Sequence, residues 1–498
     1  MFMALNRRGA FKLATTLALL SSKPTAAGTG QGAGTHPAVD AQAGALEFEL
    51  GMPTARTVDD LYQALDHQSA VMSYLWAIPI VGMESARQML VDNAGARSGD
   101  FVRVSGYRDV SAMLGSNVTT PYVFAFFDLS RQPLVLHYPP GATAGSLIDW
   151  WDRPLCDVGM TGPDAGQGAV FVLLGPGQQA PGELPAGAHL LRSRTFKVLL
   201  FCRGLDADLA QVETVFSALR VHPPGQQPAA ARTRLLRFKP EGELTSMAHP
   251  SGLAYWQRLA NALRGEPVED RDRFFAALLA PLGIGADRPF APDARQQAVL
   301  EKAAIVGEAT AKAIAFRKRI PGMRYRPDTH WEYLIAPGFD NAQDVPGGTL
   351  FEERTAFFYE VTGTSAAVLT RTPGVGAAYL AAYYDAKAAP FDGARSYRLR
   401  VPADVPARLF WSVTLYDTQT RGLIQNAQQI VDRSSRQDLA KNADGSVDIV
   451  LGPTPAPGLE KNWIPTTPGH SWYVYFRLFG PLAAYFDRSW VLSDIEAL

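Results

Sequence analysis

The chain has 498 residues, too many for one ordinary hydrophobic core, so two or three domains are expected. Hydrophobic residues at 47% and charged residues at 19% describe a globular protein and exclude a disordered one. A formal net charge of -1, from 47 basic and 48 acidic side chains, gives no electrostatic reason to expect nucleic acid or an anionic membrane surface as partner.

The first residues read as an export leader. Arg7 and Arg8 precede a short apolar stretch, Leu13 to Leu20, and small residues follow around Thr25 to Ala27. That layout over residues 1–27 is too short to span a bilayer, and the arginine pair before Phe11 and Lys12 is twin-arginine-like. A periplasmic or secreted location is therefore expected. Residues 28–54 are small and polar and read as a flexible tether. Beyond the leader no apolar run reaches the roughly 18 residues that a membrane span requires.

Residues 55–223 form the first expected domain. From Thr57, a candidate cap, Leu61, Leu65 and Val71 or Met72 repeat at helical spacing, with Asp59 and Asp60 near the positive end. Pro79 interrupts this run, so two helices or a kink are expected. After Pro121 the period shortens: "YVFAFFDL", "QPLVLHYP", "SLIDWWDR", "AVFVLLGPG" and "FKVLLFCRG" read as strands of an antiparallel meander or sandwich. "DADLAQVETVFSALRVHP" closes the domain as a helix stopped by Pro223. Cys156 and Cys202 lie in apolar strands, where they could pair outside the cytoplasm or serve as small buried hydrophobes.

Residues 224–378 are mainly helical, most clearly over "PDARQQAVLEKAAIVGEATAKAIAFRKR", with Asp293 at its start and Arg317, Lys318 and Arg319 at its end. Residues 379–498 return to β structure in "YLAAYYDA", "SYRLRVP", "RLFWSVTLYD", "SVDIVLG" and "WYVYFRLFG". Within the third of these, Phe410, Ser412, Thr414 and Tyr416 alternate with Trp411, Val413 and Leu415, giving one mixed and one apolar face. The fold class expected is α+β: an N-terminal antiparallel β domain with flanking helices, a helical middle, and a C-terminal jelly-roll-like β-sandwich.

The segments "FWSVTLYDTQTRGLIQN", "NADGSVDIVLGP", "EKNWIPTTPG" and "WYVYFRLFGPLAAYFDRSW" resemble the domain of unknown function 1214. "YLWAIPIVGMESAR" and the strands through "AVFVLLGPG" resemble its usual partner, the domain of unknown function 1254. The resemblance implies an exported bacterial protein and a lectin-like, carbohydrate-related shape, but no established reaction. The N-terminal family normally carries Asn-x-Asp-Thr before its first sheet strand. Here Asn117-Val118-Thr119-Thr120 puts a threonine in the acidic place.

Motifs with a known mechanism are missing from the sequence. It has no Gly-rich phosphate loop, no G-x-S-x-G elbow and no H-E-x-x-H among its eight histidines. No metal ligand set is assigned and the cofactor stays unknown. In "DTHWE", Asp328, His330 and Glu332 would share one side of an extended chain and could hold a cation, against a reading as solvated charges. Asn462 and Trp463 suit a sugar ring physically, with Tyr416, Trp150 and Trp151 extending the surface, but the safer reading is a structural corner in which Trp463 plugs the sandwich and Asn462 satisfies loop backbone. Asp385 and Asp417 are the candidate acid or base, with Arg354 and Arg421 placed to stabilise negative charge. Arg477, amid apolar neighbours, needs a carboxylate if buried, and Asp385 or Asp417 could supply it. Two readings follow. One is a hydrolase or lyase acting on a carbohydrate-like or polar small molecule in an inter-domain cleft. The other is a non-catalytic lectin-like or structural envelope protein. The partner is then a small molecule or glycan, and the oligomeric state is open.

Overall fold

The computed structural model describes residues 46–498 except 232, 346–347 and 370–371. The leader and residues 28–45 of the tether lie outside the described residues. The chain is mixed α+β, with eight α-helices among the described residues. Among the described residues, those from 46 to Ala64 and those from Leu65 onward belong to two compact units. In the first, strands Phe48–Glu49 and Met52–Pro53 pair across Leu50 and Gly51, both at positive φ (51° and 82°), as a tight hairpin demands. Thr54, not Thr57, caps the following helix, because the Thr57 N–H donates to the Thr54 hydroxyl at 3.3 Å.

That helix, Ala55–Ala94, runs unbroken through Pro79. The ring removes one N–H and crowds the preceding turn. Donors from elsewhere reach the carbonyls around it: Tyr255 OH to Tyr74 O at 2.7 Å, His249 Nε2 to Ile78 O at 2.9 Å, and Arg354 Nη2 to Trp76 O at 3.4 Å. Ile78, Ile80 and Val81 are fully buried, so packing sustains the helix where propensity alone would break it.

The N-terminal β region holds two sheets. One has the order Leu235–Arg237, Phe101–Val104, Tyr122–Asp128, Lys197–Gly204, Thr143–Asp149, Pro154–Gly159; the other has the order Arg220–His222, Leu134–Tyr138, Ala169–Leu174, His189–Arg192. Pairing is antiparallel except at two edges, where Leu235–Arg237 and His189–Arg192 lie parallel to their neighbours. Cys156 and Cys202 are free.

The middle region supplies helices Leu253–Leu263, Arg273–Leu279, Ala294–Phe316 and Phe351–Glu360. Ala294–Phe316 opens with a reciprocal Asp293–Gln296 capping box. In the C-terminal region, one sheet has the order Glu332–Tyr333, Ala377–Ala382, Ser471–Pro481, Ala407–Asp417, Asp432–Ser434, and a second has Trp463–Pro465, Val447–Gly452, Tyr397–Val401, Glu496–Ala497. The apolar face of Ala407–Asp417 (Trp411, Val413, Leu415) shares a core with Leu399, Ile449 and Leu451 of the second sheet. Its mixed face turns toward the N-terminal sheet, and there the candidate site forms. No helix among the described residues is long and apolar enough to cross a membrane.

Candidate functional site

Residues directly opposite in paired strands share one face. Arg203 stands opposite Tyr122 in the N-terminal sheet, and Arg477 stands opposite both Tyr379 and Ser412 in the C-terminal one. The two faces meet over residues 115–119. Arg477 donates to Gly115 O at 2.7 Å, Ser116 O at 3.2 Å and the Thr414 hydroxyl at 2.9 Å, while the Tyr416 hydroxyl donates to Ser116 O. Asn117 organises the turn, its Oδ1 accepting from Thr119 N at 2.9 Å and its Nδ2 donating to Tyr122 OH at 2.9 Å. The Thr119 hydroxyl donates to Asp432 Oδ2 at 3.0 Å. Arg477 thus satisfies itself with neutral oxygens and tyrosine rings, not with Asp385 or Asp417.

Three adjoining cavities, of about 400, 120 and 80 Å³, open along this contact. Val368 lines all three, Tyr379 the largest and smallest, and Arg203 the two smaller ones. Their charged lining is Arg203, Arg408 and Arg488. No Asp, Glu, Lys or His among the described residues lines any of them. Burial works against the charge on Arg203, but Tyr379 and Tyr122 beside it outweigh that, so the guanidinium is held charged. It lies over the Phe479 ring at 5.5 Å. Thr362 and Thr364 line the smallest cavity with buried hydroxyls that have no partner, and Thr364 is only 2% exposed. Such a cavity offers cationic donors set among aromatic walls.

The residues nominated from the sequence lie elsewhere. Asp385 Oδ1 accepts from Lys387 N and Ala389 N, both at 2.9 Å, and Asp417 Oδ1 accepts from Gln419 N and Thr420 N, both at 2.8 Å. Both carboxylates therefore hold turns. Arg354 is buried beneath the Trp151 ring and donates to the Thr349 hydroxyl; burial first, then Arg271, pushes it down to about 9. Arg421, at φ 62°, donates to Tyr359 O at 2.9 Å and to His249 Nδ1 at 3.1 Å. Asn462, fully buried, brackets the loop by accepting from Ala440 N and donating to Ala440 O and Asp448 O. Trp463 donates to Gly452 O, Trp150 lies in the core, and Trp151 packs on Trp76. Of the nine, only Tyr416 with its Arg477 partner borders the region of the cavities, and none lines them.

The residues of "DTHWE" also separate: Asp328 pairs with Arg326, His330 with Asp494 and Glu332 with Lys318. No group of three metal-ligating side chains occurs among the described residues. The site that sequence reading missed is Arg203, Tyr379, Thr362 and Thr364. Its signal was a lone arginine at the end of the apolar strand "FKVLLFCRG".

Residues 100–223 match the family described as protein of unknown function (DUF1254), and residues 376–483 match protein of unknown function (DUF1214). No match was found among curated proteins. The crystal structure of the VPA0106 protein from Vibrio parahaemolyticus is 16% identical, covers 87% of this chain and 100% of its own, and superposes with a TM-score of 0.52, a likeness of fold. A Burkholderia cenocepacia protein is 14% identical over 88% of this chain and 95% of its own, with a TM-score of 0.40. The chain carries a DUF1254 domain followed, in that N- to C-terminal order, by a DUF1214 domain.

Proposed function

We propose that this chain is an exported binding protein for a small organic anion, an acid group carried on an apolar or aromatic body. The observation that carries the reading is the lining of the three cavities: Arg203, Arg408 and Arg488 among aromatic rings, with no acidic side chain. Guanidinium groups bind carboxylate or phosphate through paired, charge-assisted hydrogen bonds.

Binding is favoured over a hydrolase or lyase reaction on a carbohydrate-like substrate. General acid-base chemistry needs a proton carrier within hydrogen-bond reach of the ligand, whereas Asp385 and Asp417 are occupied by turn amides. A lectin-like reading loses support because Asn462 spends its hydrogen bonds on loop backbone. Export rests on the Arg7-Arg8 leader, and a jelly-roll description of the C-terminal sheets on their shared core.

The test is calorimetry on the full chain with benzoate, phenylacetate and octanoate, using the corresponding amides, glucose and N-acetylglucosamine as neutral controls. Saturable binding of a carboxylate, absent for its amide and weakened about tenfold or more in Arg203→Gln, is expected. Saturable binding of the sugars alone, or carboxylate binding indifferent to Arg203, would overturn the reading.

A further inference from the structure

We infer that Asp152 and Asp157 are positioning residues of this site: from the N-terminal β region they grip the backbone of residues 361–368, the segment that lines all three cavities. The inference rests on the ligand-binding reading above. The segment leaves helix Phe351–Glu360, passes Gly363 at φ 95°, and ends in the single turn Ala366–Val368. Asp152 Oδ2 accepts from Gly363 N at 2.8 Å. Asp157 accepts from two consecutive amides, Ala366 N at 2.9 Å on Oδ1 and Ala367 N at 2.8 Å on Oδ2. The amides of Gly363, Ala366 and Ala367 are therefore committed to protein carboxylates, while the hydroxyls of Thr362 and Thr364 stay unpartnered beside the smallest cavity.

Both carboxylates are buried, Asp152 completely, and neither forms an ion pair among the described residues. Burying an unpaired carboxylate is costly unless amides satisfy it. Asp152 also sits at φ 61°, a strained conformation for a residue with a Cβ. The surroundings enforce it. Asp149 Oδ1 accepts from Trp151 N and Arg153 N, and Gln343 donates to the carbonyls of Trp151 and Asp152. A carboxylate held this firmly fixes what it grips. The cavity wall is thereby tied to the N-terminal sheet even though its residues follow a helix of the middle region.

Burial raises Asp152 to about 7, with Asp149 adding to it and the Gly363 amide opposing. The charged groups around this corner are Asp149, Arg153 and its second partner Glu269, and Arg271 and Arg354 over the Trp151 ring. As pH falls through neutrality Asp152 takes up a proton and its grip on Gly363 weakens.

The test combines amide hydrogen exchange with benzoate affinity in the full chain. Asp152→Asn and Asp157→Asn should each speed exchange at Gly363 or at Ala366 and Ala367 and lower benzoate affinity about tenfold. Wild-type affinity should fall from pH 8 to pH 6, and Asp152→Asn should abolish that dependence, which a merely structural role would not do. If the aspartate variants fail to fold, Ala366→Pro tests the same bond from the other side. It deletes one donor at the first position of the turn, where proline fits and where Ser365 is already extended. No benzoate binding by the wild-type chain would overturn the ligand reading. Intact wild-type binding with unchanged affinity and exchange in all variants would overturn the positioning role alone.

Discussion

Thr119 stands where the family resemblance puts an aspartate, and its hydroxyl donates to Asp432 Oδ2 across the two domains at 3.0 Å. Thr119→Asp would set two carboxylates against each other in that place. Asp432 is 6% exposed, and burial already raises its pKa despite the Thr119 bond and the nearby Arg433 and Arg477. Two like charges about 4 Å apart at an effective dielectric of 20 repel by about 4 kcal/mol, equivalent to about three pH units on the pair. The pair should hold one shared proton through neutrality. A carboxylate raised above its unfolded value leaves stability intact at low pH and removes it as pH rises through the folded pKa. Urea unfolding should therefore show Thr119→Asp about 1.5 kcal/mol weaker than wild type at pH 5, about one unit above the unfolded pKa, and about 4 kcal/mol weaker at pH 8. Thr119→Val, which merely loses a bond to a charged acceptor, should be about 2 kcal/mol weaker throughout. Equal losses for Thr119→Asp at both ends of the range would refute the argument.

Three further outcomes are expected. Asn462→Ala strands Ala440 N and two carbonyls and should cost about 3 kcal/mol in urea unfolding while leaving carboxylate affinity untouched; a change in affinity at unchanged stability would restore Asn462 as a ligand residue. His249 donates to Ile78 O and accepts from Arg421, and burial, then Arg421, pushes it down to about 3. Its contribution is present above about pH 6.5 and lost as pH falls toward 3, so His249→Gln should flatten the acid slope of stability by about 1.4 kcal/mol per pH unit. Gly115→Ala would drive a Cβ to 2.7 Å from Val361 Cγ2 at a positive φ of 63°; about 2 kcal/mol of stability and much of the carboxylate affinity should be lost together.

Local pattern carried the elements that depend on local chemistry. The five C-terminal strands and the capped helix Ala294–Phe316 stand where period and capping residues put them. The failures are tertiary. Pro79 is read as dividing or kinking the helix, and external donors and a buried face keep it undivided. The strand seen in "SLIDWWDR" stops at Asp149, because that carboxylate folds residues 150–153 into a turn. Strand His189–Arg192 hid behind the glycines and prolines of "GPGQQAPGELPAG". Arg477 was legible as buried, but its partners at Gly115 and Ser116 lie more than half the chain away, and no spacing announces a carbonyl acceptor. The same holds for Arg203 and Tyr379, which become a site only when two sheets meet.

The most direct measurement is a crystal structure of the full chain with 4-bromobenzoate, located by the anomalous scattering of its bromine. The carboxylate is expected against Arg203 and the ring in the space bounded by Phe201, Val368 and Tyr379. Bromine found only at surface positions, with the cavities beside Arg203 unfilled at saturating concentration, would contradict it.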